Sequence, residues 1–288
     1  MKIAVSSGCF MCNEIDKIVS IARKIGIETI ELSANVKHNG RAELVKTLKR
    51  YSDMRFLIHH YFPAPNTPFV CNIAHPATVE KSCEFIKKNI KMCGDLGIPY
   101  YSLHAGYGIN PKATLLGSDQ SLLVPIPYEQ SLNIFVDNAI KLEKFADQYK
   151  VKLLWENNVV AFVNQFENTR TPYLFSDIKF LEELENDSWW KNALVLLDIG
   201  HLKVSANTLK FSIDEFMERI SQKVVHIHAS DNDGLVDNNK PLTNETFVLF
   251  NKLKTFTNLK FLILEVSRIS LTKIQEQIAL IRNNFAVV

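Results

Sequence analysis

Acidic and imidazole side chains recur along the 288-residue chain at the ends of short apolar runs. Glu31 closes TIELS, His59 and His60 close RFLIHH, and His104 falls near the end of YYSLHA. Glu156 stands in KLLWEN, Asp198 in LVLLDI with His201 just beyond it, His228 in VVHIHA with Asp231 shortly after, and Glu265 in FLILEV. Taken singly, a histidine at such a position is ordinarily a hydrogen-bonded structural residue. Carboxylates, however, are rarely left beside apolar segments unless paired or bound to a cation. Seven runs carrying His, Asp or Glu at one level are hard to explain as packing, and they point to a metal centre.

The elements that would position these groups are regular. Eight β-rich runs occupy 3–7, 29–33, 55–60, 100–105, 152–157, 194–199, 224–229 and 261–266, each short and apolar enough for a buried strand. Amphipathic stretches of helical period lie between them. The clearest runs from Tyr128 to Tyr149, with Leu132, Phe135, Val136, Ile140, Leu142 and Phe145 on its apolar face. Ser212, followed three residues later by Glu215, predicts an N-cap for IDEFMERIS, and Leu271 to Asn284 predicts a closing helix. Strands alternating with helices, eight times over, predict a single (β/α)8 TIM barrel spanning 1–288, a fold of about 250 residues. A doubly wound open sheet is the runner-up, and Ser7-Gly8-Cys9 lacks the Gly-rich first turn it usually carries. Alternation pairs Leu57 with His59, Ser102 with His104, Leu154 with Glu156 and Ile263 with Glu265, so these groups converge on the C-terminal mouth. The same alternation sends His60 toward the helix layer and leaves His226 deeper than His228, as a core residue or one that supports the site from behind. Long loops at 61–75 and 106–127 lie on the side where barrel enzymes keep their sites.

Composition excludes several classes. With 47% hydrophobic residues and a mean hydropathy of −0.02, the chain is neither disordered nor fibrous. No apolar run approaches the roughly 20 residues of a membrane span, and MKIAVSSGCF is too short in its apolar part for a secretory signal. The 33 basic and 31 acidic residues are nearly balanced, so no nucleic-acid partner is announced. Five cysteines make no disulfide framework. A soluble cytoplasmic protein is the expectation.

Over essentially its whole length the sequence resembles the xylose-isomerase-like TIM-barrel superfamily. That group includes sugar isomerases and epimerases, inosose dehydratases and abasic-site nucleases of the endonuclease IV type. The ordered set IHHYFPAP, SLHAG, WENN, LDIGH, HIHASDNDG and LEVS carries the resemblance. It implies that Glu156, Asp198, His228 and Glu265 hold one divalent cation, and that His59 and His104 supply a second position. The oxygen-rich set with one nitrogen suits Mn, Zn, Co or Mg. It further implies a metal-dependent sugar or sugar-phosphate isomerase or epimerase working through an enediolate, with Glu156 and Glu265 as the proton carriers. His201, Asp237 and Arg268 would then bind substrate. Metal-assisted hydrolysis of abasic DNA and a non-catalytic sugar-binding barrel stay open as alternatives. The expected partner is a small sugar or sugar phosphate rather than a membrane or nucleic acid, and a homo-oligomer remains open.

One stretch departs from the pattern. The nuclease branch binds a third zinc through an Asp-x-His pair, but here the sequence reads Asp237-Asn238-Asn239, with Lys240 next and Thr243 in place of a glycine. The expectation is that this third ion is absent. Of the remaining features, Cys9 and Cys12 read as packing thiols ahead of a redox pair, Trp189-Trp190 as packing aromatics ahead of a barrel cap or partner contact, and Lys37, His38 and Arg41 as a loop open to solvent or to an anion.

Overall fold

All eight β-rich runs form strands: β1 Lys2–Ser6, β2 Thr29–Leu32, β3 Arg55–His59, β4 Tyr100–His104, β5 Lys152–Glu156, β6 Leu194–Asp198, β7 Val224–Ala229 and β8 Phe261–Leu264. They are parallel, hydrogen-bonded in sequence order, and β8 closes on β1. The computed structural model describes residues 1–115, 117–166, 170–244, 246–247, 253 and 255–285. Helices α1 Ile15–Lys24, α2 Arg41–Lys49, α3 Val79–Leu96 and α4 Tyr128–Asp147 follow the first four strands. Two short helices, α5 Ile178–Leu184 and α6 Ser188–Asn192, separate β5 from β6. After β6 come α7 Ile199–Leu209 and α8 Ile213–Ile220, and α9 Leu271–Asn284 follows β8. The chain is therefore the (β/α)8 TIM barrel that the alternation predicts.

The periodic residues pack as their spacing dictates. On α4, Phe135, Ala139, Leu142 and Ala146 are buried, while Leu132, Val136, Ile140 and Phe145 flank them half-covered. Ser212 caps α8 by accepting from the Glu215 amide, and α9 starts and stops where the sequence places it. The main core lies between strands and helices. Trp155 and Trp189 there donate to opposite oxygens of Glu143 at 2.8 and 3.0 Å, and Trp189 and Trp190 are both buried, the packing aromatics expected. Cys9 Sγ bridges the Leu264 carbonyl and the Val266 amide, pinning the end of β1 to the end of β8. Among the described residues no helix is long and apolar enough to cross a membrane.

Inside the barrel, Ala4, Leu57, Phe261 and Ile263 form one apolar cluster, and Leu154, Leu196 and Val225 form another. These side chains fill the interior below the C-terminal mouth, as barrel interiors require. Lateral register then sets polar neighbours side by side at the strand ends. His104 lies beside Glu156 and Asp198 beside His228.

Candidate active site

Glu156 occupies the centre of the C-terminal mouth and is 1% exposed. Its Oε2 lies 3.4 Å from His104 Nδ1 and 3.5 Å from His59 Nε2. Its Oε1 lies 3.3 Å from His228 Nδ1 and 3.8 Å from His201 Nδ1. His228 Nδ1 in turn stands 3.6 Å from Asp198 Oδ2 and 2.7 Å from Glu265 Oε2. Four overlapping triads result: Glu31, His59, His228; His59, His104, Glu156; Glu156, Asp198, His201; and Asp198, His228, Glu265. Of the strand-end residues singled out in the sequence, Glu31, His59, His104, Glu156, Asp198, His201, His228 and Glu265 converge here, Glu265 standing one residue beyond β8, whereas Asp231 turns aside to Lys203 and Thr246.

Local structure explains the placement. Asp198 both ends β6 and caps α7, its Oδ1 accepting from the His201 amide at 2.7 Å, so His201 is fixed on the helix's first turn. Asn157 holds this corner from β5: its side chain accepts from the Asp198 amide and donates to the Asp198 carbonyl, at 2.8 and 2.9 Å. The Asn157 carbonyl faces His201 Nδ1 at 2.9 Å. Gly200 makes room on the other side, because a Cβ there would stand 3.0 Å from Asp237 Oδ1 and 2.9 Å from Ser230 Oγ. Asp237 accordingly reaches His201, with Oδ2 3.2 Å from Nε2.

The electrostatics suit a cation. Burial pushes the Glu156 carboxyl up to about 7, against the pull of His228. Burial likewise raises Glu265, whereas Asp198 is held below the usual carboxylate range because His201 and His228 outweigh its burial. Burial disfavours charge on His228 and His201 too, but Glu265 and Glu31 around the first, and Asp198 and Asp237 around the second, lift both well above an ordinary imidazole. Burial together with the crowding of other imidazoles sends His59 and His104 well below it. Glu156 Oε2, His104 Nδ1 and His228 Nδ1 are buried without a hydrogen-bond partner. Buried polar atoms are seldom left so, and their presence within these triads fits a metal ion.

Other expectations fare differently. His60 does not face the helix layer: β3 stops at His59, His60 turns to φ 34°, and its ring packs edge-on against His104 at 4.7 Å. Strand alternation does not extend past the last strand residue. His226 is the expected core group, edge-on to Tyr100 and Phe261 at 4.9 and 5.2 Å. Arg268 is exposed on the loop after β8 and its side chain has no partner among the described residues. Arg41 turns away from the mouth onto the Lys88 carbonyl, and His38 Nε2 lies 2.9 Å from the Ala64 carbonyl. Lys240 pairs with Asp233, and Asn239 Oδ1 accepts from Ser230 Oγ.

Two supporting interactions escape sequence reasoning. Glu31 is among the strand ends read there as converging, but its partner is not: it is fully buried and its Oε1 accepts from His228 Nε2 at 2.9 Å. Asn157 carries no signal beyond its place in WENN.

Comparison with known proteins places the fold among relatives. A curated but uncharacterized protein of Methanocaldococcus jannaschii is 24% identical over 82% of this chain and 80% of its own. A D-tagatose 3-epimerase-like protein superposes with a TM-score of 0.70 at 19% identity, covering 99% of this chain and 97% of the other. The 3-keto-D-glucoside 4-epimerase of E. coli superposes at 0.69 with 14% identity, covering 98% and 99%. The family described as xylose isomerase-like TIM barrel matches residues 19–283, nearly the whole of the chain, and the protein belongs to that family.

Proposed function

We propose that the protein is a metal-dependent isomerase or epimerase of sugars or sugar phosphates, moving a proton on the carbon beside a carbonyl. The observation that carries this reading is the pair Glu156 and Glu265. They arrive from β5 and from the end of β8, and both approach His228 Nδ1, at 3.3 and 2.7 Å. Two carboxylates reaching one point from separate strands can take a proton from one side of a substrate carbon and return it on the other. Asp198 and His228 complete a set of four that would hold a divalent cation (Mn, Zn, Co or Mg), with His59 and His104 as a second position. Such a cation would polarise the carbonyl and stabilise the negative charge that proton removal leaves on the substrate oxygens.

The remaining roles belong to the same proposal. Glu156, raised by burial, is matched to proton transfer near neutral pH. His201, held by Asp198 and Asp237, would donate to a substrate hydroxyl, with Asp237 accepting from another. Arg268 would receive an outlying hydroxyl or a phosphate, for which a guanidinium fork is well shaped. The epimerases among the solved structures of this fold support the choice of sugars. The unbridged cysteines suit a reducing compartment such as the cytoplasm.

Solvent-deuterium exchange into a panel of ketoses and ketose phosphates, with added Mn, Co, Mg or Zn, tests the reading. Exchange should occur with at least one sugar and vanish in Glu156→Gln and Glu265→Gln while far-ultraviolet circular dichroism stays unchanged. Full turnover by either variant or by chelator-treated protein would sink it. Metal-dependent sugar binding without exchange would leave a non-catalytic barrel.

A further inference from the structure

A cavity of about 1040 Å³ lies not at the mouth just described but at the opposite, N-terminal end of the barrel. The apolar interior cluster of Ala4, Leu57, Phe261 and Ile263 separates the two ends. Leu57, Tyr100 and Phe261 floor the cavity, and Lys2, Lys49, Arg55 and Lys260 stand around its rim. None of these four cations has a carboxylate partner among the described residues. Two acids share the rim, but Asp53 is engaged, both its oxygens taken by Arg23 at 2.9 and 2.7 Å, which leaves Glu28 alone against four positive charges.

Arg55 is also placed rather than loose. Its guanidinium lies 5.9 Å from the Phe261 ring centroid, and Nη1 is 3.4 Å from Thr29 Oγ1. Directly behind the floor, His226 packs edge-on to Tyr100 and Phe261, and its Nε2 is buried with no hydrogen-bond partner. An aromatic floor and an excess of positive charge are the parts of a ligand pocket, and the volume lies just above the usual range of about 300–1,000 Å³. We infer that this N-terminal cavity is a second binding site, for a small organic anion with an aromatic or cyclic body. The ring of the ligand would lie on Tyr100 and Phe261, and its phosphate, sulfonate or carboxylate would meet Arg55 and the rim lysines. Nothing in this assignment depends on the chemistry of the other mouth.

Fluorescence titration with anilinonaphthalenesulfonate tests it, with phenyl phosphate and inorganic phosphate as competitors. The wild-type protein should show one saturable site from which phenyl phosphate displaces the dye more effectively than inorganic phosphate. Arg55→Glu combined with Lys260→Glu, both exposed positions, should weaken binding by at least about tenfold, because charge-assisted contacts are replaced by repulsion. Glu156→Gln should leave it unchanged. The nitrogen resonances of the His226 ring should shift on saturation. The dye could instead collect on apolar side chains exposed beside the C-terminal mouth, such as Phe162 and Val163. Loss of binding in a Phe162→Ser, Val163→Ser variant, with no loss in the Arg55 and Lys260 variant, overturns the assignment. So does the absence of any saturable site.

Discussion

Glu31 Oε1 lies 2.9 Å from His228 Nε2, and this contact decides which imidazole nitrogen faces the remaining carboxylates. With Nε2 donating to Glu31, Nδ1 is turned to Glu156, Asp198 and Glu265. Without a proton or a cation, Nδ1 would present a lone pair to three acids. A buried carboxylate behind a ligating histidine fixes ring and tautomer, and its loss typically costs 10–100-fold in metal affinity. Glu31→Gln should therefore weaken Mn or Zn binding by about that factor, measured by competition with a chelating indicator, with little change in melting temperature. An unchanged affinity would reduce Glu31 to a packing residue.

The same geometry ties metal binding to pH. In the metal-free protein His228 is held in its charged form, and burial keeps Glu156 at about 7. A cation can take the site only as those protons leave. Affinity should thus rise with pH through neutrality. Calorimetric titration at about pH 7 in buffers of different ionisation enthalpy should show roughly one proton or more released per ion bound. Release of none would mean that the ion binds elsewhere.

Much of this arrangement is legible in the sequence because buried parallel strands end at one level. Once eight runs are read as one barrel, His59, His104, Glu156, Asp198 and His228 must share a mouth, whatever their distance along the chain. What escapes is set by other physics. His60 leaves the alternation because its backbone turns to positive φ immediately after β3. The pairing of Glu31 with His228 crosses the barrel between β2 and β7, and no local pattern encodes a contact between strands that are not neighbours. The N-terminal cavity is likewise assembled from the starts of several strands, each unremarkable by itself.

His226 gives a stability prediction away from the metal centre. Burial brings its imidazole down to about 3 from an ordinary 6.5. Between those values the unfolded chain binds a proton that the folded chain refuses, so this contribution is intact above about pH 6.5 and is lost as pH falls toward 3. One such group adds a slope of about 1.4 kcal/mol per pH unit. His226→Phe keeps a ring between Tyr100 and Phe261 and removes the titration. Its urea-unfolding free energy should fall less steeply than that of the wild type between about pH 6 and pH 4, by roughly that slope. Parallel curves would contradict the assignment.

The last prediction concerns the number of metal ions and the separation from nuclease chemistry. His201 and Asp237 do come together, at 3.2 Å, but the loop offers them no third ligand of the expected kind. Asn239, standing where the nuclease pattern has histidine, spends its Oδ1 on Ser230 Oγ. A neutral amide oxygen is in any case a poor zinc ligand beside imidazole and carboxylate. Lys240, the nearby charge that would repel a cation, is drawn to Asp233. Ligand count, not repulsion by Lys240, therefore leaves the third ion without a site. With Glu156 and Asp198 committed to the four-residue set, His201 and Asp237 are left as two protein ligands, too few for a closed site, and His201 already has Asp198 and Asn157 to orient it toward a substrate. Metal analysis with anomalous scattering should find one or two ions per chain and none held by His201 and Asp237. In parallel, duplex DNA bearing an abasic site should remain intact under metal concentrations that support sugar exchange. A fully occupied third ion, together with incision that falls steeply with added salt, would move hydrolysis of abasic DNA ahead of sugar epimerisation.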